Sequence, residues 1–308
     1  MGPSDDGRGT VIRTGAEYRD SLRDGRKVWV IGEGRVDDLT THPATRAMVD
    51  YYVDWYDHHC DPAWQDILLT PPDANRERIP LAFLVPQRAD DLRRMGRSFA
   101  ATIFPTAGNV THTPAYGHLI ALGILDAVQR RNPAPDHVAI AAKYREWLAE
   151  TGRFLTFSSG AATIGYRLRQ DPNDLASLRL VEETDAGIVV RGKVGMHTSV
   201  PFAEEVYVGA GGAVTCHGQR ATFVVSVAAP GVTVVCRRIA SRHQNPFLAP
   251  LSSRFDELDA QMWLDDVFIP WDRVFLTEPS PEMNSPTPLE LDRGEGITSW
   301  LFWHQLYC

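Results

Sequence analysis

The feature that most constrains this chain is a change in hydrophobic periodicity near Gly152. Before this point, apolar residues recur at intervals of three and four, which is the spacing of one buried helix face. After it, short valine-rich runs are separated by turn residues, a pattern typical of strands. The sequence therefore predicts a helical part followed by a β part, in an α+β fold.

Four helices are predicted in the first part. The first begins at about Pro43 and the second at about Ala89, and the third and fourth run from about Tyr116 to Arg131 and from about Asp136 to Glu150. Each carries one apolar stripe, so a helix bundle explains these segments.

Five strands are predicted in the second part: Leu178–Glu183, Ile188–Val194, Glu205–Val208, Thr222–Val227 and Val232–Cys236. Asp265 and Asp266 are assigned to the end of a further strand, because apolar residues flank them. The predicted strands are expected to form a β barrel or a sandwich-like domain. We predict a helical domain over residues 1–152, a β domain over 153–279, and a linker with one helix over 280–308.

Charge and composition exclude several classes of function. The net charge is −8, so the chain has no electrostatic reason to bind nucleic acid or an anionic membrane. Four widely spaced cysteines and the lack of a visible signal peptide predict a reduced, cytoplasmic protein without a metal site. The last helix is apolar on nearly every side, which predicts a homo-oligomer or a partner chain bound through it.

The segment from Gly108 to His118 is the strongest candidate site. It places the ionisable rings of His112, Tyr116 and His118 just before a helix, where backbone N–H groups favour an anion such as a phenolate. A capped helix start with a buried, hydrogen-bonded histidine is the competing interpretation. Four aromatic residues near this segment suggest an aromatic guest or a core: Phe104, Tyr116, Phe154 and Phe157.

Several segments also resemble a known family. They are Thr14–Arg26, Thr40–Ala44, Val181–Gly192, Phe255–Ala260 and Asp266–Phe275. In these segments the chain is similar to the large, flavin-using component of 4-hydroxyphenylacetate 3-hydroxylase. The resemblance covers nearly all 308 residues, in order, and implies an acyl-CoA-dehydrogenase-like fold. It also implies a C-terminal helical bundle, of which this sequence contains the first helix, Gly296–Cys308.

The resemblance implies an aromatic hydroxylation with reduced FAD, which a separate reductase supplies. Members of the family hold the phenol with an Arg and a Tyr of one motif and a His of a later Thr-His pair. Here the Tyr is Tyr116, the Arg position is His112 and the His position is Phe157. A threonine that contacts the flavin corresponds to Thr198. The Pro-Gln-x-Asp/Asn-Arg stretch that holds the flavin falls near residues 162–166 and is not kept.

These observations predict a flavin-dependent phenol ortho-monooxygenase homologue that acts on a phenolic secondary metabolite. His112 and Tyr116 are predicted to be catalytic, Thr113 and Phe157 to bind substrate, and Thr198 to bind the cofactor. Two alternatives remain open. One is an acid/base enzyme without flavin, such as a cyclase, isomerase or lyase, because imidazole titrates near pH ~6.5. The other is a non-catalytic accessory half of a split hydroxylase.

Overall fold

The computed structural model describes residues 12–72, 77–130, 135–158, 178–208, 219–239 and 245–279. It has the predicted α+β composition, with helices before residue 152 and most strands after it. The predicted terminal helix and the 162–166 stretch lie outside the described residues.

Six α-helices are present in the described ranges. They are α1 Gly15–Ser21, α2 Arg46–His58, α3 Gln65–Leu68, α4 Ala89–Ile103, α5 Pro114–Arg130 and α6 Pro135–Thr151. The four predicted helices correspond to α2, α4, α5 and α6, whereas the short α1 and α3 were not predicted. None of these helices is long and apolar enough to cross a membrane.

The described strands form two sheets. They are β1 Val28–Val30, β2 Gly34–Val36, β3 Leu155–Ser158, β4 Arg179–Thr184, β5 Gly187–His197, β6 Glu205–Val208, β7 Gln219–Ser226, β8 Val232–Cys236, β9 Ala260–Pro270 and β10 Val274–Pro279. The order is β2-β1-β8-β9-β5-β4 in the larger sheet and β10-β7-β6-β3 in the smaller one. The five predicted strands are β4 to β8.

The β1–β2 hairpin lies in the part of the sequence that was predicted to be helical. β1 pairs in parallel with β8, with Val28 opposite Val234. Each hairpin strand has only three residues, which is too short for a period-two pattern to be recognised. The larger sheet therefore contains residues from both parts of the chain, and the division at residue 152 stays a prediction.

The assignment of Asp265 and Asp266 to a strand end was wrong. Both lie inside β9, where the register with β5 shifts between Val190 and Gly192. Asp266 has a positive φ of 50°, and both carboxylates are exposed. A β-bulge places two successive residues opposite one, so both can face solvent within a continuing strand.

Helix α5 crosses strand β3 at very short range. A Cβ atom on Gly117 would lie 1.9 Å from the carbonyl oxygen of Leu155. Only glycine allows this approach. The contact brings the start of α5 against the first residue of β3, and these are the elements that carry the candidate site.

Candidate active site

Three aromatic rings of the predicted site lie together at the start of α5. The ring centroids of His112 and Tyr116 are 5.1 Å apart and nearly perpendicular. Phe157 on β3 stacks on His112 at 5.7 Å and meets the Tyr116 ring edge-on at 5.6 Å. Side chains from two separate parts of the chain thus form one small aromatic cluster.

Local structure explains the position of each ring. The Tyr116 amide donates to the carbonyl of Thr113, 3.0 Å away, in the first turn of α5. Phe157 is held by the parallel pairing of β3 with β6, opposite Tyr207. His112 precedes the helix, so its ring is placed by contacts from outside α5.

Tyr52 of α2 connects the His112 segment to the end of β5. Its hydroxyl donates to the His112 carbonyl at 3.0 Å and lies 2.9 Å from the Ser199 hydroxyl. Burial raises the pKa of Tyr52 well above its usual value, and the charge of Glu257 raises it further. Tyr52 is therefore protonated at neutral pH and can donate this hydrogen bond.

The loop before β9 completes the support of His112. One carboxylate oxygen of Glu257, Oε1, accepts from the amides of Thr111 at 2.9 Å and His112 at 2.7 Å. The Ser199 amide donates to the Glu257 carbonyl at 2.9 Å. Ser199 and Leu258 have positive φ values of 62° and 49°, a conformation that costs free energy in residues other than glycine.

Sequence reasoning missed Tyr52, Ser199 and Glu257. Glu257 lies inside Phe255–Ala260, one of the segments that carry the family resemblance, and this was the available signal. Its contact with His112 joins residues 145 positions apart. Neither hydrophobic periodicity nor a short sequence motif indicates a contact between residues so far apart in the chain.

Thr198 lies at the end of β5, close to the aromatic cluster. Its hydroxyl donates to Asp259 Oδ1 at 2.8 Å, and its carbonyl accepts from Thr156 at 2.9 Å. Asp259 is in turn paired with Arg237 at 3.2 Å. Because Thr156 precedes Phe157, these contacts tie Thr198 to the strand that carries the Phe157 ring.

The hydroxyl of Thr113 is fully buried and has no hydrogen-bond partner within the described part of the chain. The imidazole of His197 is also fully buried, with the backbone carbonyls of Phe157 and Val194 beside it. Burial lowers the pKa of His197 to about 4, although the Phe157 and Val194 carbonyls oppose this shift, so the ring is neutral at pH 7. An orphaned buried polar group costs about 1–3 kcal/mol unless a ligand or water satisfies it.

This polar set fits the groups that the family resemblance implies. A flavin ring system carries donors and acceptors along one edge, and the hydroxyl of Thr198, which donates to Asp259 directly after β5, retains acceptor capacity for such a donor. The orphaned Thr113 hydroxyl, beside His112, fits the oxygen of a phenol.

Three other candidate residues do not join the cluster. His118 turns away from His112 and stacks on Phe83 at 3.7 Å, and burial lowers its pKa to about 3. Phe104 is 81% exposed, and Phe154 is a core residue packed against Tyr52 at 5.0 Å. Tyr116 and His118 also lie inside α5 and not before it.

Comparison with known proteins shows which family has a similar sequence and fold. Residues 14–276 match the family model described as "4-hydroxyphenylacetate 3-hydroxylase N terminal". The chain is 33% identical to the oxygenase component of 4-nitrophenol 4-monooxygenase/4-nitrocatechol 2-monooxygenase from Rhodococcus opacus, over 85% of this chain and 52% of that protein. It is 30% identical to 2,4,6-trichlorophenol monooxygenase from Cupriavidus pinatubonensis, over 96% of this chain and 57% of the relative.

A solved structure has a similar fold. A mutant of HpaB complexed with FAD superposes with a TM-score of 0.80 at 26% identity, over 96% of this chain and 60% of the other. The predicted acyl-CoA-dehydrogenase-like fold is thereby confirmed. The chain spans about half the length of the curated relatives it matches. With the family model matching most of its length, the chain belongs to the 4-hydroxyphenylacetate 3-hydroxylase N-terminal family.

Proposed function

We propose that this chain provides the phenol-binding part of a flavin-dependent aromatic monooxygenase, the oxygenase component of a two-component system. Family membership and relatives that act on nitrophenol and trichlorophenol support the proposal. The observation that carries it is the cluster of His112, Tyr116 and Phe157, at the positions where the family holds its phenol.

The cluster has the chemical groups that a phenol requires. Phe157 offers an apolar face for the ring, and Thr113 offers an unpaired hydroxyl for its oxygen. His112 accepts the phenol proton, and Tyr116 lies against the imidazole, where it orients the phenolate oxygen. Deprotonation makes the ring more electron-rich at its ortho carbon, where the hydroxyl group is added.

Thr198 would hold the flavin directly after β5. Bound reduced FAD supplies the electrons that activate molecular oxygen. The buried surroundings of this polar set exclude water from the reacting groups.

A flavin reductase is the partner that this function requires, because the oxygenase component uses flavin that is already reduced. A phenolic secondary metabolite is the substrate class we infer. A reducing, cytoplasmic location stays a prediction from the wide spacing of the four cysteines in the sequence. Association through residues 296–308 stays a prediction.

An anaerobic titration of the purified chain with reduced FAD tests the cofactor, followed by flavin fluorescence and absorbance. Saturation in the micromolar range is expected, with binding about tenfold weaker in Thr198→Val because a buried hydrogen bond is lost. Glu182→Gln, an exposed change on β4, is the control and should bind like the wild type.

Turnover then tests the reaction. The chain is supplied with oxygen, a flavin reductase and a set of phenols, and catechol formation is measured. Product from the wild type and a loss of at least tenfold in His112→Ala are expected. No binding of reduced FAD up to about a millimolar would refute the proposal, and proton-transfer activity on phenols without flavin would favour the acid/base alternative.

A further inference from the structure

The carboxylate of Glu257 faces the imidazole of His112 in addition to binding the backbone. Its Oε1 lies 3.6 Å from His112 Nδ1, while the same oxygen accepts from the His112 amide at 2.7 Å. The two side chains are only 16% and 14% exposed, so water screens this pair weakly. A negative charge is therefore fixed beside one nitrogen of the ring.

The contacts of Nδ1 orient the ring. Nδ1 lies 3.1 Å from the hydroxyl of Thr111 as well as near Glu257, so among the described residues this nitrogen is the one that the protein contacts. The tautomer of a histidine is set by the hydrogen bond that one of its nitrogens makes. An ionised carboxylate can only accept, so Glu257 favours a proton on Nδ1, and this leaves Nε2 as the acceptor.

We infer that Glu257 is the positioning residue that makes His112 a base toward phenols. This inference rests on the proposed function. The phenol O–H bond breaks and its proton moves to His112 Nε2, which leaves a phenolate and an imidazolium. The carboxylate of Glu257 takes no part in the proton transfer, and its negative charge stabilises the cationic ring. Within the described residues, Tyr116 and Tyr52 are the other titratable groups that contact His112, and burial keeps Tyr52 protonated by raising its pKa well above the usual value.

This arrangement accounts for a departure from the family pattern. An arginine at position 112 would carry a permanent charge and could not take a proton. A histidine can, provided that a negative group faces it, and Glu257 meets this requirement. The substitution thus changes a group that binds a phenolate into one that generates it.

The variant Glu257→Gln distinguishes the effect of the negative charge from the effect of the hydrogen bonds that Glu257 accepts from the backbone. Its amide oxygen can still accept from the backbone amides of Thr111 and His112, while the negative charge is lost. Asp256→Asn is the matched control, since it makes the same charge change one residue away. The Asp256 carboxylate binds Arg237 at 2.7 Å and does not contact His112.

The test uses 4-nitrophenol, whose anion absorbs at a different wavelength from the neutral form. Each protein is titrated anaerobically without flavin, at a pH below the pKa of free 4-nitrophenol, and the ionised fraction of the bound ligand is read from its spectrum. The wild type and Asp256→Asn are expected to bind the anion. In Glu257→Gln the ratio of bound anion to bound neutral phenol is expected to fall about tenfold or more. If Glu257 only held the backbone amides of Thr111 and His112 in place, the variant would change the affinity for 4-nitrophenol but not the ratio of bound anion to bound neutral phenol.

The outcomes distinguish the two proposals. An unchanged ratio in Glu257→Gln would overturn the role of Glu257 while leaving the phenol site in place. Failure of the wild type to bind 4-nitrophenol would overturn the phenol site and, with it, this inference. His112→Gln provides a second route if Glu257→Gln does not fold. If that variant binds the anion as the wild type does, Glu257 does not act through His112.

Discussion

Replacing Glu205 by glutamine removes a carboxyl group that the fold keeps almost completely from water. Glu205 lies on β6 and is 4% exposed, with Arg153 at 3.6 Å as its ion-pair partner. Burial raises the pKa of Glu205 from 4.5 to about 7, the positive charges of Arg153 and Arg273 oppose this shift, and the charge of Glu204 adds to it. The ionised form is therefore costly in the folded protein.

The sign of the effect follows from proton linkage. Between pH 4.5 and pH 7 the folded chain keeps a proton on Glu205 that the unfolded chain has released. The free energy of unfolding therefore decreases as the pH rises through this range, by up to about 3 kcal/mol from this residue alone. Glutamine cannot ionise, so the variant lacks this contribution.

Urea denaturation followed by tryptophan fluorescence, at a series of pH values across this range, measures the effect. Relative to the wild type, Glu205→Gln should gain about 3 kcal/mol between the acid and alkaline ends. Comparison at each pH cancels the other titrating groups. Glu182→Gln, on the exposed face of β4, should show no such trend. A variant that instead loses stability as the pH rises would show that the arginines, and not burial, dominate at Glu205.

Three further predictions concern packing, a buried ion pair and the site. Gly117→Ala should lower the free energy of unfolding by at least about 2 kcal/mol in urea denaturation, because its Cβ would lie 1.9 Å from the Leu155 carbonyl oxygen. Glu204→Gln should cost about 3 kcal/mol in the same assay, because the Arg13 charge, 2.6 Å from Glu204, stays buried without its partner. Thr113→Val should stabilise the ligand-free chain by about 1 kcal/mol and weaken 4-nitrophenol binding about tenfold, because it removes an unpaired buried hydroxyl that is available to the ligand. Spectroscopic titration checks the binding, and unchanged affinity would exclude Thr113 from the phenol site.

Acid should also affect the Arg13–Glu204 pair, at pH values below the ordinary glutamate pKa of 4.5. Burial acts to raise the pKa of Glu204, but the hydrogen bond and charge of Arg13 outweigh it, and the net pKa is lowered. Its contribution to stability is therefore present at neutral pH and is lost as the pH falls through the lowered value. Glu204 and Glu205 thus respond to acid in opposite directions, although they are neighbours in sequence.

The elements that the sequence predicted are those with a local signature. The apolar stripe of α4 includes Met95 and Phe99, and both are buried as its period of three and four requires. Strands β6 and β8 match their predicted bounds, since continuous or alternating valines mark buried strands. The proximity of His112 and Tyr116 was also predicted from local sequence, because four positions separate them around one helix start.

Tertiary structure alone decided the contacts that make these residues a site. The hydrogen bond from the His112 amide to Glu257 spans 145 positions, and the hydroxyl contact of Tyr52 with Ser199 spans 147. Nothing in the sequence around Gly117 indicates that a side chain is excluded there. The restriction arises because the backbone of β3 passes directly against this residue. Periodicity and capping are properties of neighbouring residues, so the sequence reports them directly. The charge that faces a histidine depends on how distant segments pack, and that is determined only when the whole chain folds.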